Sequence, residues 1–328
     1  MKRLLSGIKP TGELTLGNYI GAIKQFIEMQ NEYETFIFVA DLHALTVYNE
    51  PSLLKTRIRE MLGLYLACGL DPKQTTIFVQ SENMYHTNLS WVLECNSYMG
   101  EMSRMTQFKD KTKNGNSENI SCGLFTYPTL MASDILIYDA DVVPTGIDQK
   151  QHVELARNLA ERFNNKYGET FKVPEPIIPK EGAKIYDLQN PTKKMSKTEE
   201  SVKGCILLTD EPEVARKKIM SAVTDGENNI KYDPLNKPGI SNLLVIYSSL
   251  KNIDIKSCEE ECAGLGYGDF KKKVADVVAN FLEDLQTKYK SIVDANIIDK
   301  ILDESNEKVI NIAKNKVDEV FAKIGVGR

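Results

Sequence analysis

The feature that most constrains this chain is a set of short apolar runs separated by helix-period segments. Phe36-Ile37-Phe38-Val39-Ala40 is apolar without interruption. A strand with one wet face alternates apolar and polar residues, whereas an unbroken run suits a strand buried on both faces. Leu4-Leu5-Ser6-Gly7-Ile8 before it and Thr75-Thr76-Ile77-Phe78-Val79 after it read as its neighbours. Between them lie one helical segment, from about Gly17 to Met29, and a second after Asn49. The second has Pro51 in its first turn and is predicted to bury Leu54, Ile58, Met61, Leu62 and Tyr65. The order β-α-β-α-β predicts an α/β fold with a parallel sheet and right-handed crossovers. The stretch from Phe108 to Asn119 is polar and reads as a loop.

Past about residue 207 only helices are expected. Asp210 with Glu213 is predicted to form a capping box for the helix carrying Val214 and Ile219. Asp269 is predicted to cap a helix with apolar positions 270, 274, 277, 278, 281, 282 and 285. Amphipathic helices follow near 295–303 and 306–323. A chain of 328 residues is expected to divide into two domains.

Composition excludes some classes. No apolar stretch approaches the roughly 20 residues that span a bilayer, and the N-terminus lacks the apolar core of a signal peptide. The six cysteines are scattered, which suits a reducing, cytoplasmic setting. Cys258 and Cys262 are the only close pair, and with three histidines a four-ligand zinc site is hard to assemble. They read as small buried thiols, and no protein metal site is expected. The net charge is −5, so a nucleic acid has to meet local basic patches. These are Lys193-Lys194 with Lys197, Arg216-Lys217-Lys218 and Lys271-Lys272-Lys273.

Four segments carry candidate chemistry. The stretch from Gly7 to Asn18 leaves the first strand and opens the first helix, where free N–H groups and the helix dipole favour phosphate. Gly17 lets a nucleotide approach the backbone. Alone, an ordinary strand-to-helix turn explains it equally. Pro191-Thr192-Lys193-Lys194-Met195-Ser196-Lys197-Thr198 is a compact basic loop whose lysines could neutralise phosphate charge; alone, it reads as a solvated surface loop. Tyr127 to Leu136 begins a helix with Pro128 in its first turn. Met131 and Asp134, three apart, share its face. A carboxylate beside a soft thioether suits a flat ring with a single N–H donor, although a surface aspartate above a core methionine would look the same. Val142 to His152 runs from a strand end at Gly146 into a helix, where parallel sheets bind ligands. Asp148 there could be only an N-cap, and a lone His43 at the end of the second strand is more often structural.

Together, Thr15-Leu16-Gly17-Asn18 and Lys194-Met195-Ser196-Lys197-Thr198 resemble the paired signatures of the class I aminoacyl-tRNA synthetases. Thr15 and Asn18 replace the histidines of the first signature and Thr198 a serine of the second. The Thr-x-Gly-Asn form is that of the tryptophanyl branch. Lys237 to Leu244 and Gly268 to Lys272 extend the resemblance into the helical half, in the family's order.

The resemblance implies a Rossmann-like catalytic domain over 1–190, with a dimer-interface insertion near 105–177. It implies that 191–328 is the lysine loop with an all-helical, anticodon-binding domain. The activity implied is activation of L-tryptophan with ATP and transfer to the 3′-terminal adenosine of tRNA, by a soluble homodimer without membrane contact. Lys194 and Lys197 are expected at the leaving pyrophosphate, with Lys111 and Asn18 also catalytic. The ATP site is expected from Lys9, Thr11, Gly17, Asn18, Gly146, Asp148, Ile185, Lys194, Met195, Ser196 and Lys197. Lys9 stands where relatives often have glutamine. Asp134, Met131, Tyr127, Gln149, His43, Gly7 and Leu5 are expected around tryptophan, with Asp134 the only acceptor for the indole N–H. Mg²⁺ is expected with ATP and to need few protein ligands. The rivals are the tyrosyl branch, a small-molecule nucleotidyltransferase and an inactive tRNA-binding paralogue. Met131 beside Asp134, the long helical half and the intact lysine loop, respectively, argue against them.

Overall fold

The computed structural model describes residues 1–112, 120–146, 149–178, 184–196 and 202–328, with the side chains of 110–112 left out. Among these residues five strands form one sheet in the order β3-β2-β1-β4-β5. They are β1 (Arg3–Ile8), β2 (Glu34–Val39), β3 (Thr75–Val79), β4 (Val142–Pro144) and β5 (Glu175–Ile177). Every pairing is parallel. Leu4, Ile37, Val39, Ile77, Val79 and Val142 serve one apolar core. Leu5, Phe36, Phe38, Phe78 and Val143 serve a second. Neighbours along β2 alternate between the two cores, which is why its sequence has no polar gap. The chain steps outward from β1 to β3, then returns to place β4 on the other side of β1. The carboxyl ends of β1 and β4 therefore open a crevice, the usual ligand position in such sheets.

The helices differ from expectation at several ends. The predicted helix from about Gly17 starts as Leu16–Asn18, widens to π-helix over Tyr19–Ile23 and resumes as Lys24–Met29. Helix Pro51–Cys68 is capped by Glu50, whose carboxylate accepts from Ser52 N and Leu53 N. Leu54 and Ile58 are only half-buried there, while Met61, Leu62 and Tyr65 are buried. Helix Cys122–Leu136 begins upstream of Tyr127, because the Ser121 hydroxyl accepts from Leu124 N; Pro128 thus lies inside the helix. Residues 108–112, expected as loop, continue the helix Thr106–Thr112.

The rest is helical: Pro212–Met220, Pro238–Lys251, Ile255–Glu261, Tyr267–Asp294 and Ile298–Ile324. The Asp210–Glu213 capping box does not form. Pro212 starts that helix, and the Asp210 carboxylate instead accepts from Leu207 N at 2.9 Å and pairs with Lys218 at 2.6 Å. Asp269 lies within the first turn of a helix that already starts at Tyr267. The two helices expected near 295–303 and 306–323 are one, since no breaker interrupts the series Ile298, Leu302, Ser305, Val309, Ala313, Val317 and Val320 on its buried face. Cys258 and Cys262 are buried free thiols, and burial pushes Cys258 up to about 11.

This helical half is built onto the sheet. Leu243, Leu244, Phe270 and Val274 belong to the same apolar cluster as Leu4, Ile37 and Tyr65. The last helix joins both cores: Ile298 and Leu302 sit in the first, Val309 to Val320 in the second. Between them it runs along β3, covering a strand edge that would otherwise present unpaired backbone. Lys308 marks the crossing, donating to Thr76 Oγ1 at 3.1 Å and pairing with Glu34 at 3.1 Å.

Gly239 tests this packing. A Cβ there would lie 2.1 Å from the carbonyl oxygen of Val223, a backbone atom that cannot swing aside, whereas Gly226 faces nothing within 4 Å. Gly239→Ala is expected to destabilise the protein by roughly 1–3 kcal/mol, the usual cost of overpacking. Gly226→Ala should stay near wild type. Denaturant midpoints for the two variants check this, and equal midpoints would refute the close approach.

Candidate active site

The crevice between β1 and β4 holds a cavity of about 520 Å³, within the size range of small-molecule sites. Its lining includes Leu5, Gly7, Lys9, Thr11, His43, Tyr127, Met131, Asp134, Gly146, Gln149 and Lys194. Residues read from four separate segments therefore meet at one place. The backbone at Gly7 lies flat against Phe38, whose ring would be 2.8 Å from a Cβ. Lys111, Asp148 and Lys197 were read as functional too; the Lys111 side chain and both other residues lie outside what is described.

Asp134 is neither on the surface nor alone. It is fully buried, with three protein donors on its carboxylate. His43 Nε2 reaches Oδ2 at 2.8 Å, while Gln80 Nε2 at 2.7 Å and His86 Nδ1 at 2.6 Å reach Oδ1. Burial alone would raise its pKa, but the hydrogen bonds from His43 and His86 outweigh burial and hold the carboxyl below its usual range. The site thus keeps an ionised acceptor beside the thioether of Met131. Tyr127 packs edge-on to His43 at 6.2 Å, and its hydroxyl lies 2.9 Å from His152 Nε2. Burial pushes the Tyr127 phenol up to about 12, so it stays protonated.

Sequence reading missed Gln80, His86, Tyr138 and Asn83, which form the shell behind Asp134. One signal was available: the chain has only three histidines, and all three bond into this site's walls.

Gly17, Asn18, Ile185, Met195 and Ser196 do not line the cavity itself. Gly17 packs against the lysine loop, since a Cβ there would lie 3.4 Å from Met195 Cβ and 3.6 Å from Ile185 Cβ. Thr15 and Asn18 close a capping box: Asn18 Oδ1 accepts from Thr15 N and from Thr15 Oγ1, both at 2.9 Å, and Thr15 Oγ1 accepts from Asn18 N at 3.1 Å. Ser196 is exposed.

The lysine loop hangs on a two-stranded stem. Met195 N donates to Ile185 O, and Asp187 N to Lys193 O, both at 2.9 Å. Inside the turn Asp187 Oδ1 accepts from Gln189 N and Asn190 N. From outside, buried Asn242 clamps Tyr186 by both ends: its Oδ1 accepts from Tyr186 N and its Nδ2 donates to Tyr186 O, each at 2.9 Å. Beyond the loop, Leu16 N donates to Ile206 O at 2.8 Å and Leu208 N to Leu14 O at 2.9 Å, tying the segment that follows the loop to the first signature. Several patch cations are engaged in contacts within the chain. Lys218 binds Asp210, Lys271 donates to Ala222 O, and Arg216 pairs with Asp276.

Comparison with known proteins agrees with this geometry. The family model for tRNA synthetases class I (W and Y) matches residues 1–283. The tryptophan–tRNA ligase of Oceanobacillus iheyensis is 50% identical over 328 residues, all of both chains. The crystal structure of tryptophanyl-tRNA synthetase from Mycoplasma pneumoniae superposes with a TM-score of 0.92 at 36% identity, covering 100% of this chain and 98% of that one. The Campylobacter jejuni tryptophanyl-tRNA synthetase, solved with ADP and tryptophan, gives a TM-score of 0.83 at 34% identity, covering 99% of this chain and 100% of that one.

Asn242→Ala leaves the backbone N–H and C=O of half-buried Tyr186 without their partner. A loss of about 1–3 kcal/mol in stability is expected, together with faster proteolytic cleavage in 190–196. Cleavage there at the wild-type rate would show that the stem stands without the clamp.

Proposed function

Since the chain belongs to the class I tRNA synthetases of the tryptophan and tyrosine group, we infer that it is a tryptophan–tRNA ligase. It activates tryptophan with ATP and passes the acyl group to the 3′-terminal adenosine of its tRNA. The observation that carries the reading is the single cavity in which Asp134 and Met131 meet Lys9, Thr11 and Lys194. A ring-reading carboxylate and phosphate-facing cations belong together only where an amino acid meets a nucleotide.

In the first step the tryptophan carboxylate attacks the α-phosphate and pyrophosphate leaves. A carboxylate is already a nucleophile, so no general base is needed; position and charge do the work. We assign Asp134, Met131, His43, Leu5 and Gly7 to the side chain of tryptophan, and Tyr127 with Gln149 to its ammonium group. Lys9, Thr11, Gly17 and Asn18 face the triphosphate. Gly146 and Asp148 take the ribose, and Ile185 with Met195 flank the adenine. Lys194 and Lys197, with Ser196 beside them and Lys111 as a further cation, neutralise the leaving pyrophosphate. The contact of Gly17 with Met195 and Ile185 supports this arrangement, because it brings the first signature against the loop. In the second step a ribose hydroxyl of the tRNA takes the acyl group and AMP leaves.

Among the described residues no group of three or more His, Cys, Asp or Glu is set to hold a metal. We propose that Mg²⁺ comes in with the triphosphate, where it would supply charge neutralisation and keep most of its water. No helix among the described residues is long and apolar enough to cross a membrane. We propose a cytoplasmic enzyme with residues 1–190 catalytic and 191–328 carrying the lysine loop and the anticodon-reading helices. We also propose a homodimer docked near 105–177. The exposed side chains of Trp91, Tyr98 and Met99, just before that segment, support such an interface.

Purified protein is expected to catalyse ATP–pyrophosphate exchange with tryptophan and not with tyrosine. A tyrosine preference would overturn the reading. Lys194→Ala should lower kcat for exchange by on the order of 10²-fold while tryptophan affinity holds, because the charge it meets develops in the transition state. An intact kcat with weakened tryptophan binding would remove Lys194 from the pyrophosphate.

A further inference from the structure

The donors around Asp134 have a direction. Gln80 and His86 both meet Oδ1, while His43 alone meets Oδ2. An ionised carboxylate only accepts, so both imidazoles present an N–H to it. Behind His86, the Tyr138 hydroxyl lies 2.7 Å from Nε2. The other partner of the Tyr138 oxygen, Asn83, bears on which way that bond runs. Its Oδ1 accepts from Tyr85 N at 3.2 Å, and its Nδ2 donates to Val309 O at 3.3 Å and to the Tyr138 oxygen at 3.0 Å. The Asn83 amide can only donate to the Tyr138 oxygen, so among the described contacts the buried phenol's own hydrogen has His86 Nε2 as its acceptor. A nitrogen that accepts carries no proton, so His86 is neutral, with its hydrogen on Nδ1. Asn83, His86, Asp134 and Tyr138 are all buried. The Tyr138 ring is also fixed, stacked on Phe36 and edge-on to Phe78, each at 5.5 Å.

We propose that Asn83, Tyr138 and His86 are positioning residues for amino-acid selection, a one-way donor chain that sets how many hydrogen bonds Asp134 has left to accept. With Gln80, the chain fills both lone pairs of Oδ1 and leaves one on Oδ2. His43, the partner of Oδ2, lines the cavity, whereas Gln80 and His86 do not, so the open direction faces the substrate. Because His86 is neutral, the carboxylate keeps its charge for that last bond. A ring with one N–H and no other polar atom completes the set. A phenol could give its O–H to the same lone pair, but its own oxygen lone pairs would then be left without a donor beside a carboxylate that only accepts. The proposal rests on Asp134 as the residue that meets the substrate ring.

Tyr138→Phe tests it, because the ring packing stays and one oxygen goes. The readout is pyrophosphate exchange with tryptophan and with benzothienylalanine, in which sulfur replaces the ring N–H. Wild type should favour tryptophan strongly. Tyr138→Phe is expected to lower kcat/KM for tryptophan about tenfold, through KM, and to narrow the preference over the analogue by about the same factor. The KM for ATP should hold. In parallel, ¹⁵N-imidazole NMR of the wild type, with His86 identified by its loss in His86→Gln, should show a neutral ring protonated at Nδ1. A charged or Nε2-protonated His86, an unchanged preference, or equal losses on both substrates would each overturn the chain. Asp134→Asn separates the two levels. If that variant also keeps the full preference, Asp134 does not read the ring. If it loses the preference and Tyr138→Phe does not, only the chain is wrong.

Discussion

A parallel sheet must be covered on both faces, and the rest of this structure follows from that demand. Phe36, Ile37, Phe38 and Val39 have no polar gap, so neither side of β2 can meet water. The crossover helices cannot supply all the cover. Helices Pro238–Lys251 and Tyr267–Asp294 pack into one of the two cores and the end of the last helix into the other. The helical half is thereby held in a fixed place relative to the crevice between β1 and β4. That is why Asn242, far along the sequence, can grip the stem of the lysine loop.

The same fixed geometry explains how a carboxylate can be buried beside a ligand cavity. An unpaired ion at that depth would be costly. Asp134 is stable because helix Tyr85–Cys95, the turn at Gln80 and the start of the segment after β2 each bring one donor. Preorganised donors of this kind do not have to rearrange when a ligand arrives, so binding energy is available for selection.

The sheet was legible because its strands are short, apolar and evenly spaced, and because helical periods separate them. Most of the candidate site was legible because its residues stand in compact segments, each at a strand end or helix start. Helix ends were less so. Ser121 outcompeted the expected start at Tyr127, and Asp210 was taken by Lys218 and a backbone N–H before it could cap anything. The basic clusters were read as patches open to a nucleic acid, yet Lys218 and Lys271 fasten backbone carbonyls of the fold. Gln80, His86 and Tyr138 left no local pattern at all. Their roles depend on side chains that come together only after the sheet has formed, and spacing along one chain does not encode that.

The closing helix has a consequence for how the molecule is made. Lys308 meets Thr76 across 232 residues of sequence, and Val309 to Val320 complete a core begun by β1. A ribosome delivers β3 long before it delivers the element that shields its edge. During synthesis the nascent sheet therefore waits with an open flank, able to pair with another chain's strand. Folding of the second core is a late, long-range event that cannot finish until helix Ile298–Ile324 has emerged.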